Sequence, residues 1–177
     1  MLARLFERPA VTAAGLILVG GLAAILAAWG YELIGGYAPC KLCLEQRTPY
    51  YVGLPLVLVA LVSDRLGGPS WLARACLVLA GLAFAYGAAL GIYQAGAQWS
   101  FWQGPTDCGA TRGGGVPTSA MDLLSDMGKT RIPSCTDVDW RMFGLSFAGW
   151  NAVVSGGIVL LAAWGAFARP HRAVALG

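Results

Sequence analysis

The chain has 177 residues, of which 57% are A, V, I, L, M, F, W, Y or C and only 12% are charged, with 25 Gly besides; soluble domains carry about 25% charge, so a bilayer is the solvent that fits. The net charge of +3, from 12 basic and 9 acidic side chains without a block of like sign, argues against a nucleic-acid footprint. His171 is the only histidine, which argues against a bis-His haem, a His-rich zinc or iron site and a Ser/His/Asp hydrolase within the membrane.

In chain order, residues 11–31 form a first uncharged run of 21, enough at about 1.5 Å per residue to cross about 30 Å of hydrocarbon. Cleavage as a signal peptide is disfavoured, because the run exceeds an h-region of about 7–15 residues and no clean A-x-A site precedes Glu32. The second segment is expected at about 43–62. Its strictly uncharged part begins at Thr48 and would be short by itself, so the helix is expected to start at Cys43 or Leu44 and to carry Glu45, Gln46 and Arg47 in its first turns. A third segment spans about 71–93, with Arg74 snorkelling near its start and Ala83, Gly87 and Gly91 as a small-residue stripe for close packing. The fourth spans about 143–167.

Two loops are expected on one side, at about 32–42 and 94–142. Within the long one, Pro117, Thr118 and Ser119 read as a helix start, Met121, Leu124 and Met127 recur at spacing three, and Gly128 supplies a stop. That predicts a short amphipathic helix, either on the membrane surface or packed on the rest of the loop. All seven Trp fall at segment ends or beside them, as interfacial aromatics should. The expected fold is therefore an all-α integral membrane protein, a single four-helix transmembrane bundle over 1–177 with one long extramembrane loop.

Lys and Arg are denser at the termini and in the 63–70 link than in the two loops, which predicts cytoplasmic termini. With four crossings, parity puts Cys40, Cys43, Cys108 and Cys135 in one compartment and Cys76 near the opposite face. Cys76 reads as an inert small hydrophobe.

Cys40-Lys41-Leu42-Cys43 is a C-x-x-C where a loop becomes a membrane helix. Orphan N–H groups and the helix dipole there favour a thiolate, so the Cys43 pKa should fall, and Arg47, one turn further on, should add a positive charge. A zinc site is disfavoured by the lack of a second knuckle or a histidine on that side. Two static disulfides bracing a four-helix scaffold, and dithiol chemistry passing electrons between pairs, stand as the alternatives. Dithiol chemistry needs a terminal acceptor, and without a flavin fingerprint, haem ligands or an iron–sulfur set, a lipid-soluble quinone remains.

The runs Pro39-Cys40-Lys41-Leu42-Cys43-Leu44-Glu45-Gln46-Arg47, Gly104-Pro105-Thr106-Asp107-Cys108 and Pro133-Ser134-Cys135, followed by Trp140, Phe143-Gly144-Leu145-Ser146 and Gly149-Trp150-Asn151, closely resemble the DsbB family of bacterial inner-membrane thiol:quinone oxidoreductases. The resemblance covers essentially the whole chain. It implies periplasmic cysteine pairs, a membrane quinone as acceptor, with ubiquinone favoured over menaquinone, and a periplasmic DsbA-like thioredoxin-fold dithiol oxidase as partner. It further implies that Cys43 contacts the quinone with Cys40 as its partner and Arg47 assisting. Cys108 would be attacked by the reduced partner, releasing Cys135 to pass electrons to Cys40, and the Gly113-Gly114-Gly115 run would let that loop move. Relatives often carry a His after the Tyr that ends the third segment. Here Gln94 stands there, so no His role carries over. Gln94 is read either as a hydrogen-bond donor to a quinone carbonyl or as a surface-exposed helix-end amide.

Overall fold

A computed structural model of the protein describes residues 8–36, 39–104, 135 and 141–168. The element order is α1 (Pro9–Leu33), α2 (Lys41–Glu45), α3 (Thr48–Arg65), α4 (Ser70–Gln98), β1 (Arg141–Met142), β2 (Leu145–Ser146) and α5 (Phe147–Phe167). Among the described residues, three helices are long and apolar enough to cross a membrane: α1, α4 and α5, of 25, 29 and 21 residues. The protein is thus a mostly helical, multi-pass membrane protein. Large apolar side chains such as Val19, Leu26, Leu82 and Leu160 are exposed on the helix surfaces, as lipid-facing positions should be.

The helices close into a ring in the order α1, α3, α4, α5, with α1 packed on both α3 and α5. Pairwise contacts give the directions. Arg47 meets Glu32 and Tyr51 meets Trp29 across α1 and α3. Along α4 and α5, Gly81 faces Ala162, Gly87 faces Ser155 and Gly91 faces Ala148 and Ala152, so each helix runs antiparallel to its neighbours. The core at the centre is made of Ile17, Val57, Leu77, Phe84 and Ile158, with the Tyr50 ring edge-on to Phe84.

Close approach depends on glycine, as Gly91 and Gly53 show. At Gly91 a Cβ would stand 2.9 Å from the Ala148 carbonyl oxygen and 3.0 Å from the Ala152 nitrogen, which is backbone that cannot step aside. At Gly53 it would run into the Phe84 ring. In a bilayer, where lipid tails are as apolar as Leu, packing at this range is a principal force that holds helices together.

Three expected boundaries change. The second segment does not begin at Cys43: α2 ends at Glu45, Gln46 and Arg47 form a corner, and α3 starts at Thr48. Pro49 explains the break, since it has no N–H to donate to the Glu45 carbonyl and its ring would collide with that group in a continuous helix. The third segment runs beyond Tyr93 to Gln98, which leaves Gln94 inside the helix. The fourth starts at Phe147 rather than 143. Residues 141–146 form instead a two-residue β-hairpin, in which Phe143 and Gly144 both have positive φ (51° and 81°), as a type I′ turn requires. Ser146 then caps α5, its Oγ accepting from the Gly149 N–H at 3.3 Å. The expected amphipathic helix, the Gly113–Gly115 run and Cys108 lie outside the described residues.

Candidate functional site

The site is assembled where α2 rests on the C-terminal third of α4. Cys40 is the N-cap of α2 and its Sγ accepts from the Cys43 N–H at 3.3 Å, a capping role that places the two sulfurs 2.9 Å apart. Burial separates the pair: Cys40 is 4% exposed, whereas Cys43 is only partly buried and adjoins the exposed Leu44. Both are free thiols. Cys135 is disulfide-bonded and 1% exposed, and it shares a buried cluster with Cys40 and Leu42, against which Cys43 and Leu90 pack. Three of the four expected redox cysteines therefore meet in one place. Cys76 is buried in the central core, away from them.

Gln94 is the group the sequence placed least well. It is 2% exposed, which corrects the surface-amide reading, and its Nε2 donates to both sulfurs, at 3.4 Å to Cys40 and 3.5 Å to Cys43. Behind it, Gln46 Nε2 donates to Gln94 Oε1 at 2.6 Å and Asn151 Nδ2 donates to Gln46 Oε1 at 2.7 Å. Tyr50 OH donates to Asn151 Oδ1 at 2.8 Å. A line of amides thus runs from the sulfurs into the bundle and joins the α2–α3 corner, α3, α4 and α5.

The Cys43 thiol is pulled down to about 6, first by its hydrogen bond with Cys40, then by Gln94 and the capping contact with Cys40, and least by the charge of Arg47; burial works the other way. Cys40 is pushed up, by that same shared hydrogen bond first and by burial second. The two shifts run in opposite directions and favour Cys43 as the thiolate of the pair and Cys40 as its protonated partner. This division corrects the expected cause of the shift. Arg47 is near enough to contribute, but its guanidinium is engaged by Glu32 of α1, Nη1 to Oε2 at 2.5 Å.

The described residues also fit an electron acceptor dissolved in the membrane: the thiolate is on the more open cysteine, at the edge of the apolar helices and beside a guanidinium. Among the described residues no group of three or more His, Cys, Asp or Glu is placed to hold a metal ion.

Residues 10–165, most of the chain, match the family model described as Disulfide bond formation protein DsbB. The chain belongs to the DsbB family. Two curated relatives carry the name "Disulfide bond formation protein B". The one from Albidiferax ferrireducens is 34% identical over 130 residues, covering 71% of this chain and 70% of the relative. The one from Verminephrobacter eiseniae is 31% identical over 129 residues, covering 72% and 70%. No solved structure gives a significant match.

As a member of the DsbB family the chain serves disulfide bond formation, and the C-x-x-C pair lies within the matched residues. Sequence reasoning missed Glu32 as the partner of Arg47, and missed Gln46, Asn151 and Tyr50 as parts of the site. Asn151, the only Asn in the chain, offered a signal. A lone amide inside an apolar span is costly unless it is bonded across helices.

Proposed function

We propose that this DsbB family member is a thiol:quinone oxidoreductase of the bacterial inner membrane that reoxidises a periplasmic DsbA-like dithiol oxidase. The observation that carries this reading is the burial of a disulfide-bonded cysteine, Cys135, against a C-x-x-C pair that holds a thiolate. On this reading Cys108 is the partner of Cys135. The reduced thiol of the periplasmic oxidase attacks Cys108, Cys135 leaves as a thiolate and attacks Cys40 of an oxidised Cys40–Cys43 pair, and Cys43 is released as the thiolate. The partner's second thiol then displaces Cys108 and leaves the partner oxidised, and the freed Cys108 thiolate attacks Cys135, which remakes the Cys108–Cys135 bond and releases Cys40. The net exchange moves two electrons from the partner's dithiol to Cys40 and Cys43, with one proton taken up by Cys40 and the other released to water.

When bound beside Cys43 and Arg47, a quinone, ubiquinone in preference to menaquinone, would supply the two-electron acceptor that returns the pair to its disulfide, with one proton coming from Cys40 and one from water. Cys43 presents its sulfur to the acceptor, Gln94 and Cys40 hold the sulfur's charge, and Arg47 adds a fixed positive charge beside it. The helix α3 is taken as a fourth crossing: it has 18 residues, about 27 Å of rise, and it lies between α1 and α4 in the ring. Four crossings would place both termini on one side and the four redox cysteines on the other, and the denser Lys and Arg at the termini and in the 63–70 link favours the cytoplasm for the termini and the periplasm for the cysteines. The scaffold alternative with two static disulfides is less well supported, because a bracing disulfide has no use for a neighbour that lowers a thiol pKa.

The test is turnover. Purified protein is mixed with a reduced thioredoxin-fold dithiol oxidase and a soluble ubiquinone, and quinone absorbance is followed. Stoichiometric loss of quinone with oxidation of the partner is expected; no turnover would leave the scaffold reading.

A further inference from the structure

The line of amides has a direction, and one backbone group sets it. An amide side chain can present either its donor or its acceptor, so the face that Gln94 turns to the sulfurs must be fixed by its neighbours. The Gly87 carbonyl of α4 can only accept, and Asn151 Nδ2 donates to it at 3.4 Å. That holds Asn151 with its oxygen toward Tyr50 OH and Ser155 Oγ, the latter at 3.5 Å, and its nitrogen toward Gln46 Oε1. Gln46 must then offer its nitrogen to Gln94 Oε1, and Gln94 is left with its nitrogen facing Cys40 and Cys43. The reverse contact is poorer, for the Gln94 oxygen is 4.0 Å from Cys43 Sγ and is already engaged by Gln46.

We infer that Gln46 and Asn151 are positioning residues that read the Gly87 carbonyl and orient the Gln94 amide so that it donates to the Cys43 sulfur. The inference rests on the redox reading above for its purpose, since a donor aimed at sulfur stabilises a thiolate and an acceptor would destabilise it. Neither residue touches a sulfur. Both act through Gln94, which makes their role separable from general packing: a packing defect changes access to Cys43 at every pH, whereas a misdirected amide acts only where the thiol titrates.

Among the described residues, the charged and titratable groups around Cys43 leave this reading clear: Cys135, a thiol in the reduced protein, packs in the same cluster, and Tyr50 lies on the far side of Asn151, and neither variant alters them. Cys40, Lys41 and Glu45 share its turn, and Arg47 stands beside it, held by Glu32 from α1. Toward the site, α4 and α5 contribute the amides of Gln94 and Asn151. Substituting Gln46 or Asn151 by an apolar residue therefore changes no charge near the sulfur.

The experiment is iodoacetamide alkylation of Cys43 across pH, mapped by mass spectrometry on the reduced full-length protein in lipid nanodiscs, for the wild type, Gln46→Met and Asn151→Leu. Each variant should alkylate about fivefold more slowly at pH 6 and at the wild-type rate at pH 9, the pattern of a thiol pKa raised by about one unit. An unmoved midpoint, or equal slowing at every pH, overturns the inference. A shift in Gln46→Met without one in a folded Asn151→Leu overturns the assignment of direction to Gly87. If Asn151→Leu does not fold, Gln46→Met, close in length and shape to the native residue, decides alone. No quinone or partner is present, so a failure of quinone turnover and a failure of this inference are separate results.

Discussion

Arg47 reaches across to Glu32, so a guanidinium beside the C-x-x-C ties α3 to α1 as well as lending charge to Cys43. Its two functions have different magnitudes. The charge is the least of the influences that lower Cys43, and the ion pair is only partly buried, with side-chain exposures of 13% for Arg47 and 32% for Glu32.

Arg47→Gln is therefore expected to leave the Cys43 alkylation midpoint nearly in place while raising the KM for quinone about tenfold, because the fork that faces a developing negative charge is gone. Loss of the ion pair should cost about 1 kcal/mol of stability, between the values for exposed and buried pairs. Glu32→Gln should show that stability loss without the KM change. Quinone titrations and thermal melts of both variants check this; a large pKa shift in Arg47→Gln would restore the guanidinium as the main source of the thiolate.

Gln94→Glu replaces the donating amide by a group that only accepts once ionised. The thiolate form of Cys43 then faces like charge where it faced a donor, so its pKa must rise from about 6. Alkylation near pH 6 should fall about tenfold or more and recover as pH rises through the new midpoint. An acid limb that stays where it is would remove Gln94 from the site.

For the relay order, Cys135→Ser leaves Cys108 without its proposed internal partner. Incubated with the oxidised thioredoxin-fold protein, this variant should accumulate a mixed disulfide through Cys108, visible on non-reducing gels, and should lose turnover with that protein while Cys40 and Cys43 still react with small dithiols and quinone. Full turnover would mean that electrons do not pass through Cys135.

Cys76 provides the contrast. It is 6% exposed within the core, and it precedes Gln94 by eighteen positions on α4, about 27 Å along the axis. Cys76→Ser should leave quinone turnover unchanged and cost about 1 kcal/mol or less, since the hydroxyl can bond back to its own helix. A tenfold fall in turnover would make it a fifth redox cysteine.

Glycine substitutions should divide by surroundings. Gly91→Ala must push α4 from α5, at about 1–3 kcal/mol, and should disturb Asn151 with it. Gly15→Ala and Gly20→Ala place a methyl where nothing stands within 4 Å and should be neutral or stabilising by up to about 1 kcal/mol. Thermal melts in detergent distinguish the two groups.

What could be read from the chain alone followed from one-body properties. Runs of apolar residues gave three crossing helices within a few residues of their ends, and the C-x-x-C beside Arg47 gave the chemistry, because composition and short spacing are local facts. Pairings across helices were not legible. Gln94 looked like a helix end because the apolar pattern weakens at Tyr93, yet the helix continues for another turn, and only its packing on α2 buries the amide. Gln46 and Asn151 are 105 positions apart and meet only because the ring closes. Pro49 was the readable feature that was passed over: its ring and missing N–H disfavour the continuous helix expected from 43 onward, although α3 accommodates Pro55 further along.

That same corner at Gln46 and Arg47 breaks the continuity between the thiol turn and the membrane helix α3. Membrane helices answer hydrophobic mismatch by tilting, and a C-x-x-C continuous with α3 would swing with it. Here the thiol turn is attached to α4 through Gln94 and to α3 only through the corner. Reorientation of α3 is therefore expected to reach the sulfurs through the corner and Gln94, not along a continuous helix axis.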